Sequence, residues 1–204
     1  MGGGVLRIVG GLFRGRRLAP PPKRGVRPTA DPVREALFNI LGPSVADRPF
    51  LDLAAGTGAV GLEALSRGAA PVVLVERDRA SLAVVRRNVD LLALDQEQAG
   101  LVFVVAADVG VWLERGGEGL VPGEAGVVFL DPPYGEPRLP KWLDRLAAAP
   151  FVGPGTLVVV EHRTGDAPAA PAAWETLWTR RYGDASLTAF APRGEDRTAE
   201  GEEP

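Results

Sequence analysis

The sequence predicts an α/β fold with a mostly parallel sheet, a C-terminal antiparallel hairpin and a small N-terminal β-hairpin extension. From Phe50 onward, short apolar runs alternate with amphipathic segments, which indicates strand and helix units around a parallel sheet. Short runs also flank Gly10-Gly11 near the start and Gly183-Asp184 near the end. Glycine supplies the positive φ that a tight turn requires, so each pair of runs predicts a hairpin.

The N-terminal extension has limbs at 5–9 and 12–18, followed by a stiff basic linker at 20–25. A helix then begins with Asp31 as its N-cap and Pro32 in its first turn, and it stops before Gly42-Pro43. We expect strands near 50–54, 72–76, 101–105, 126–130 and 155–160, and helices near 58–67, 79–93, 108–115 and 139–148. A hairpin of 177–182 and 186–190 closes the sheet. The chain divides into a basic arm (1–28), one α/β domain (29–190) and an acidic, flexible tail (191–204).

The composition excludes several classes of site. The 204 residues contain no cysteine and a single histidine, His162, so disulfides, structural zinc sites, cysteine nucleophiles and histidine triads lack their residues. The chemistry must therefore use carboxylates, backbone groups and a bound cofactor, and we predict no metal. No apolar run is long enough to span a membrane, and the first residues do not resemble a signal peptide, so we expect a cytoplasmic protein.

Charge is distributed unevenly along the chain. The formal net charge is −3, but residues 1–34 contain eight Arg and Lys residues against one acidic residue. Phe13 stands among arginines in this arm, and guanidinium groups both pair with phosphate and stack on bases. The arm therefore predicts contact with nucleic-acid phosphates, with a solvated charged face as the alternative.

A glycine-rich turn follows the first strand of the α/β domain. Gly56-x-Gly58-x-x-Gly61 matches the dinucleotide-binding fingerprint, so a nicotinamide enzyme is one interpretation. Asp52 favours another, because a carboxylate in a buried strand is costly unless it is paired. A pyrophosphate would be repelled by Asp52, whereas the ammonium end of an amino-acid-like cofactor would pair with it.

Two further acids follow the next two strands. Glu76 lies 20 residues after Gly56, where an acid can accept hydrogen bonds from both hydroxyls of a ribose. NAD and S-adenosylmethionine share this feature, so it indicates a nucleoside without identifying it. Asp108 is placed to meet an adenine amine, although a helix N-cap is the alternative.

A stiff corner, Asp131-Pro132-Pro133-Tyr134, follows the fourth strand. It exposes a carboxylate, the Pro132 carbonyl and an aromatic ring, which suit an exocyclic amine on a flat base. The alternative is a strand-ending turn with a surface tyrosine. Because the carboxyl ends of parallel strands meet at one edge of an open sheet, we expect this corner to lie beside the glycine-rich turn.

These residues together resemble class I S-adenosylmethionine-dependent methyltransferases that act on exocyclic amino nitrogens, which have a Rossmann-like sheet. More narrowly, the chain is similar to the RsmD family from about residue 5 to residue 190. The similar segments are Arg7-Ile8-Val9-Gly10-Gly11, Arg14-Gly15-Arg16, Arg27-Pro28-Thr29, Val33-Arg34-Glu35-Ala36-Leu37-Phe38-Asn39, Gly61-Leu62-Glu63-Ala64-Leu65-Ser66-Arg67-Gly68-Ala69 and Val75-Glu76-Arg77-Asp78. Two positions depart from the pattern: Ala54 replaces an expected phenylalanine, and Thr57 replaces the usual serine.

The resemblance implies methyl transfer from S-adenosylmethionine to N2 of a guanine in 16S ribosomal RNA, within a small ribosomal subunit particle, and we expect a monomer. The implied catalytic residues are Asp131, Pro132, Pro133 and Tyr134. The implied cofactor-binding residues are Asp52, Ala54, Gly56, Thr57, Gly58, Glu76, Arg77 and Asp108. The implied RNA-binding residues are Arg7, Arg14, Arg16, Arg17, Arg24 and Arg27.

Three other functions remain open. A methyltransferase for adenine N6 in DNA or for a protein glutamine would share the same core. A nicotinamide oxidoreductase would share the glycine-rich turn but leaves 131–134 without a role, and a non-catalytic RNA-binding assembly factor needs only the basic arm. Trp174 and Trp178 indicate sheet packing rather than a platform for bases. Roles for Arg34, Glu35, Asn39 and His162 cannot be assigned.

Overall fold

A computed structural model describes residues 5–22 and 31–193 of the chain. Its strands are β1 (Phe50–Leu53), β2 (Val72–Glu76), β3 (Val102–Ala106), β4 (Val127–Leu130), β5 (Leu157–Arg163), β6 (Trp174–Tyr182) and β7 (Ala185–Pro192). They form one sheet with the order β3-β2-β1-β4-β5-β7-β6. The first five strands in this order are parallel, and β7 pairs antiparallel with both β5 and β6. The predicted mostly parallel sheet with a C-terminal hairpin is therefore confirmed.

Helices cover both faces of the sheet. They are α1 (Asp31–Leu41), α2 (Ala59–Ser66), α3 (Arg79–Leu91), α4 (Gln96–Ala99), α5 (Val109–Glu114) and α6 (Leu139–Ala147), with 3₁₀ turns at Gly42–Val45 and Gly116–Gly119. Side chains of α1, α2 and α3 join the core on one face, and those of α5 and α6 join the core on the other. The sheet is thus enclosed between two apolar layers, which leaves the strand ends as the places where polar groups emerge.

The differences from the predicted elements have local causes. Strand β6 begins at Trp174 rather than 177, because Trp174 is buried and packs on Phe190 with ring centroids 6.4 Å apart. This confirms its predicted packing role. The short helix α4 was not predicted from the sequence, and it is fixed by a reciprocal capping box between Asp95 and Gln98.

The N-terminal segment forms a looser hairpin than predicted. Its limbs meet in one antiparallel bridge between Arg7 and Arg17, and the turn spans residues 10–15 rather than two glycines. Gly11 has a φ of +75°, and a Cβ there would lie 1.8 Å from the Ser66 carbonyl oxygen. The turn is therefore shaped by close contact with α2, which a hairpin rule based on local sequence does not include.

Helix α1 ends at Leu41, directly before Gly42 with its φ of +57°, as the sequence predicts. The N-cap role of Asp31 stays a prediction, as do the boundaries at 28 and 190. Residues 23–30, which include the last part of the linker predicted at 20–25, and residues 194–204 of the tail lie outside the described residues. Among the helices that the structure describes, none combines the length and the apolar character needed to cross a membrane.

Candidate active site

The carboxyl ends of the parallel strands open onto a cleft of about 850 Å³. The strand order reverses direction between β1 and β4, which is where open α/β sheets bind their ligands. Nine of the twelve residues predicted for catalysis or cofactor binding line this cleft: Ala54, Gly56, Glu76, Arg77, Asp108, Asp131, Pro132, Pro133 and Tyr134. The structure therefore brings these predicted catalytic and cofactor-binding residues to the same edge of the sheet, at the carboxyl ends of its strands.

The glycine-rich turn exposes backbone to the cleft at one position. Gly56 has a φ of +57°, and a Cβ built there would meet no atom within 4 Å. Gly61 has the opposite environment, since a Cβ there would lie 2.2 Å from the Leu74 side chain. Gly56 thus leaves room for a ligand, whereas Gly61 allows α2 to pack closely on β2. Thr57 and Gly58, predicted to contact a cofactor, are not among the residues that line the cleft.

Asp52 is also absent from the cleft lining and lies beneath the turn. Its side chain is 2% exposed, and Oδ2 accepts a hydrogen bond of 2.9 Å from the backbone N–H of Gly61. Burial raises the pKa of Asp52 to about 7; the Gly61 hydrogen bond opposes this shift, and the charges of Asp131 and Glu76 add to it. A cation near the turn would favour the ionised carboxylate. Direct contact with an ammonium group stays a prediction.

Glu76 organises the loop between β2 and α3. Its carboxylate accepts hydrogen bonds from the backbone N–H groups of Gly56, Arg77 and Asp78, at 2.8, 2.7 and 2.8 Å. The side chain therefore ties the glycine-rich turn to the end of β2 while it lines the cleft. Its predicted hydrogen bonds to a ribose stay a prediction.

Asp108 is the N-cap of α5, the alternative that the sequence left open. One oxygen accepts from Gly110 N–H at 3.0 Å, and the other accepts from Arg138 Nη1 at 2.7 Å and Arg77 Nη1 at 3.4 Å. Burial favours the protonated acid, but the Arg138 hydrogen bond and charge outweigh it and lower the pKa of Asp108. Contact with an adenine amine stays a prediction.

Arg138 was missed from the sequence. It forms hydrogen bonds with Glu136 at 2.6 and 2.9 Å, and its guanidinium lies 4.9 Å from the Trp142 ring centroid. With its bond to Asp108, it joins the loop after β4 to the start of α5. The only local signal was the pair of charges at 136 and 138, directly after the Asp-Pro-Pro-Tyr corner.

The corner at 131–134 lies directly beside the glycine-rich turn. Strands β1 and β4 are adjacent and in register, with Leu53 opposite Leu130, so Ala54 and Asp131 leave the sheet side by side. Pro132 is buried, and Tyr134 is 39% exposed at the rim. The Arg163 guanidinium lies 5.5 Å from the Tyr134 ring centroid, a cation–π contact that the sequence did not predict.

The described part of the basic arm presents its arginines to solvent. Arg7, Arg14, Arg16 and Arg17 are all exposed, and Arg24 and Arg27 lie outside the described residues. The arm reaches the cleft, because Pro22 is part of the cleft lining. The four described arginines are therefore accessible to a ligand, and their contact with RNA stays a prediction.

Buried polar side chains hold this arm against the domain. Arg34 is fully buried, and its Nη2 donates to the Arg7 carbonyl at 2.6 Å. Asn88 is also fully buried; it bonds both backbone groups of Ala19 and donates to the Thr57 carbonyl at 2.8 Å. Asn88 thus joins the arm to the glycine-rich turn.

The other unassigned residues separate into two groups. His162 is buried, and its ring nitrogens lie 2.8 Å from the Arg163 carbonyl and 2.8 Å from Thr188 Oγ1, so it is part of the β5–β7 packing. Glu35 and Asn39 are exposed on α1. Among the described residues, no group of three or more acidic or histidine side chains is arranged to hold a metal ion.

Comparison with known proteins identifies the relatives of the chain. A profile of the family described as conserved hypothetical protein 95 matches residues 6–191. The ribosomal RNA small subunit methyltransferase D of Escherichia coli K12 is 38% identical over 174 residues, which cover 85% of this chain and 83% of that protein. A solved Escherichia coli structure with the provisional name methyltransferase yhhF superposes with a TM-score of 0.78 at 34% identity, covering 93% and 98% of the two chains.

A more distant structure resembles the chain in fold alone. The SAM-dependent methyltransferase of Agrobacterium tumefaciens superposes with a TM-score of 0.56 at 19% identity, covering 82% of this chain and 63% of that one. The predicted Rossmann-like methyltransferase sheet is therefore confirmed at the level of fold.

Proposed function

The chain belongs to the family described as conserved hypothetical protein 95, and from this premise we propose that it is an S-adenosylmethionine-dependent methyltransferase of small-subunit ribosomal RNA. The resemblance to the RsmD family is confirmed by the Escherichia coli relative named ribosomal RNA small subunit methyltransferase D. The finer proposal is that the methyl group is transferred to N2 of a guanine in 16S ribosomal RNA. In this proposal the enzyme is a cytoplasmic monomer, and its substrate is RNA within a small ribosomal subunit particle.

One observation carries the catalytic part of this proposal. The carboxylate and prolines of the 131–134 corner and the open backbone of Gly56 line the same cleft, on adjacent strands that are in register. A base held by the corner would therefore lie next to a ligand held by the turn. An oxidoreductase would require the turn but gives this corner no role.

The residues of the cleft fit S-adenosylmethionine. Gly56 leaves space beside its backbone, Glu76 presents a carboxylate to the cleft, and a cation near the turn would favour the ionised form of the buried Asp52. The cleft volume of about 850 Å³ lies within the roughly 300–1,000 Å³ of typical ligand sites. When bound, S-adenosylmethionine supplies an electrophilic methyl group.

The corner acts by orienting the amine of the base. The guanine amine is a weak nucleophile because its lone pair is delocalised into the ring. The Asp131 carboxylate and the Pro132 carbonyl accept its two N–H groups, turn the lone pair toward the methyl group and stabilise the positive charge that develops on nitrogen. Tyr134 stacks on the extruded base. No strong general base is needed before transfer, because the extra proton leaves the methylated nitrogen only afterwards, to the Asp131 carboxylate or through it to water.

The experiment compares two Asp→Asn variants. Asp131→Asn removes the charge of the acceptor, so we expect methyl transfer to 16S ribosomal RNA to fall by at least about a hundredfold. Asp144→Asn is the matched control, because Asp144 is exposed on α6 and does not line the cleft. Affinity for S-adenosylmethionine, measured by calorimetry, should change by less than about threefold in both variants. Undiminished transfer by Asp131→Asn would contradict the role of this residue.

The substrate is identified in the same assay. Protein-free 16S ribosomal RNA and small subunits, both from a strain that lacks this protein, are incubated with labelled S-adenosylmethionine, and the product is mapped by mass spectrometry. We expect a single methylated guanine with the methyl group on N2. Methylation of DNA adenine or of a protein glutamine instead would overturn the substrate proposal, and binding of NAD without S-adenosylmethionine would overturn the reaction class.

A further inference from the structure

A second depression adjoins the cleft at the end of the C-terminal hairpin. It has a volume of about 360 Å³. Its lining consists of Tyr134, Arg163, Thr164, Arg181, Gly183 and Asp184. Tyr134, Arg163 and Asp184 also line the cleft, so the two spaces meet around the ring proposed to stack on the base.

Two arginines on different strands contribute to this depression. Arg163 ends β5 opposite Ala185 of β7, and Arg181 on β6 lies opposite Ser186 of β7. The Arg163 guanidinium lies over Tyr134, and Arg181 Nε donates to the Gly183 carbonyl at 3.2 Å. Across residues 5–22 and 31–193, neither guanidinium has a carboxylate oxygen within 4.0 Å. Most of their donors are therefore available to an anion.

We propose that this depression binds a backbone phosphate of the RNA strand, next to the nucleotide whose base enters the cleft. This site rests on the proposed function. A base that stacks on Tyr134 remains covalently joined to the phosphates on either side of it, so those phosphates must lie near that ring. Arg163 and Arg181 present planar donor groups that match the oxygens of a phosphate.

The chemistry of the lining favours an RNA strand over an isolated phosphate ion. Asp184 contributes a carboxylate to the same depression, which disfavours a small free anion. An RNA strand carries a 2′-hydroxyl donor beside each phosphate, so it is compatible with an acidic residue beside the arginines. The depression is lined by the C-terminal hairpin, the end of β5 and Tyr134, whereas the basic arm contacts α2 and α3.

Neighbouring arginines on one strand provide a matched test. Arg181→Gln removes a proposed phosphate contact. Arg180→Gln removes the same charge one residue away, from an exposed side chain that lines neither space. Binding to 16S ribosomal RNA from a strain lacking this protein is measured between 50 and 200 mM KCl for both variants.

Arg181→Gln should lower RNA affinity about tenfold and reduce the slope of log affinity against log salt by about 0.7, the value for one single-strand phosphate contact. It should raise KM for RNA with little change in kcat. Arg180→Gln should leave all three quantities near the wild-type values, and Arg181→Lys should retain most of the salt slope. Calorimetry with S-adenosylmethionine should give the same affinity in all variants, which separates a lost RNA contact from a damaged fold.

Equal effects of Arg180→Gln and Arg181→Gln would overturn the site, since they would reduce it to the general charge of the hairpin. Wild-type RNA affinity in Arg181→Gln would overturn it as well. Failure of the wild-type protein to methylate this RNA would instead overturn the proposed function, and the comparison of the two variants in the binding assay would still decide the phosphate site.

Discussion

Two buried carboxylates contact the helix α2 region in opposite environments. Glu63, within α2, is fully buried among partners: it accepts from Val9 N–H and Gly10 N–H at 2.7 Å and from Arg67 Nε at 2.9 Å, and Arg34 Nε lies 3.7 Å away. Asp52, beneath the start of α2, has the Gly61 N–H as its hydrogen bond and two acids, Asp131 and Glu76, as its charged neighbours. The negative charge of Glu63 is compensated by arginines, whereas that of Asp52 faces two other acids.

This difference distinguishes a structural carboxylate in α2 from a carboxylate in β1 beneath the candidate ligand site. The charge of Glu63 is neutralised by arginines, and its carboxylate fastens the basic arm to the domain. The charge of Asp52 is disfavoured by its surroundings, and an uncompensated buried charge is the type of feature that proteins retain at ligand sites. We infer that the region under the glycine-rich turn is arranged for a cation that arrives with the ligand.

The largest expected effect comes from removing the compensated acid. Glu63→Ala leaves the buried Arg34 guanidinium and two backbone N–H groups without their carboxylate, so the free energy of unfolding should fall by about 3–5 kcal/mol. The measurement is chemical denaturation at pH 7. Tryptic cleavage after Arg14, Arg16 and Arg17 should also become faster, because the arm loses its anchor.

Glu175→Ala is the control for this prediction. Glu175 is exposed on the edge strand β6 and forms no ion pair within the described ranges, so its loss should change stability by less than about 0.5 kcal/mol. If both variants lose the same stability, the Glu63 cluster does not anchor the arm.

The second effect follows from the raised pKa of Asp52. Because burial holds this pKa at about 7 in the folded protein, against 3.8 for the ordinary carboxyl, the folded state binds more protons than the unfolded state between these values. The unfolding free energy should therefore decrease as the pH rises from about 4 to 7, by a contribution on the order of 4 kcal/mol at about 1.4 kcal/mol per pKa unit. Above about pH 7 this contribution to the free energy of unfolding is fully lost.

Asp52→Asn isolates this contribution, because asparagine keeps an oxygen that can accept from Gly61 N–H. The unfolding free energy of the variant should not decrease in this way as the pH rises. Its stability relative to wild type should therefore increase steadily from pH 4 to pH 7. Denaturant unfolding at half-unit pH intervals measures the difference. Parallel curves for the two proteins would show that Asp52 is ionised in the folded state and that the comparison with Glu63 is wrong.

The sequence predicted the cleft well because its residues are positioned by local rules. Asp52, Glu76, Asp108 and the 131–134 corner each lie in or directly after a buried strand, and parallel strands bring such ends to one edge. The same reasoning could not separate residues that face the cleft from residues beneath it. Asp52 and Thr57, predicted as cofactor contacts, are buried and are not among the residues that line the cleft, and their contact with a cofactor stays a prediction.

Contacts between distant segments were beyond the sequence patterns. Glu63, Ser66 and Asn88 hold the arm through bonds that span more than 50 residues, and no periodicity or motif identifies which buried polar group meets which backbone amide. The sequence therefore predicts a basic hairpin and linker without these contacts. In the structure its apolar side chains and its backbone are part of one face of the domain.

The smallest expected effect tests whether binding of the ligand changes the protonation of Asp52. At pH 7 a carboxyl with a pKa of about 7 is half protonated, and a cation close to it lowers that pKa, so binding of S-adenosylmethionine should release up to about half a proton. Calorimetry in phosphate and Tris buffers measures this release, and Asp52→Asn should abolish it.

S-adenosylhomocysteine keeps the ammonium group but lacks the sulfonium charge. Equal release with both ligands would assign the effect to the ammonium group that the sequence pairs with Asp52, whereas release with S-adenosylmethionine alone would assign it to the sulfonium. No release with either ligand would mean that the charge beneath the turn is a structural defect tolerated by the fold rather than a part of the binding site.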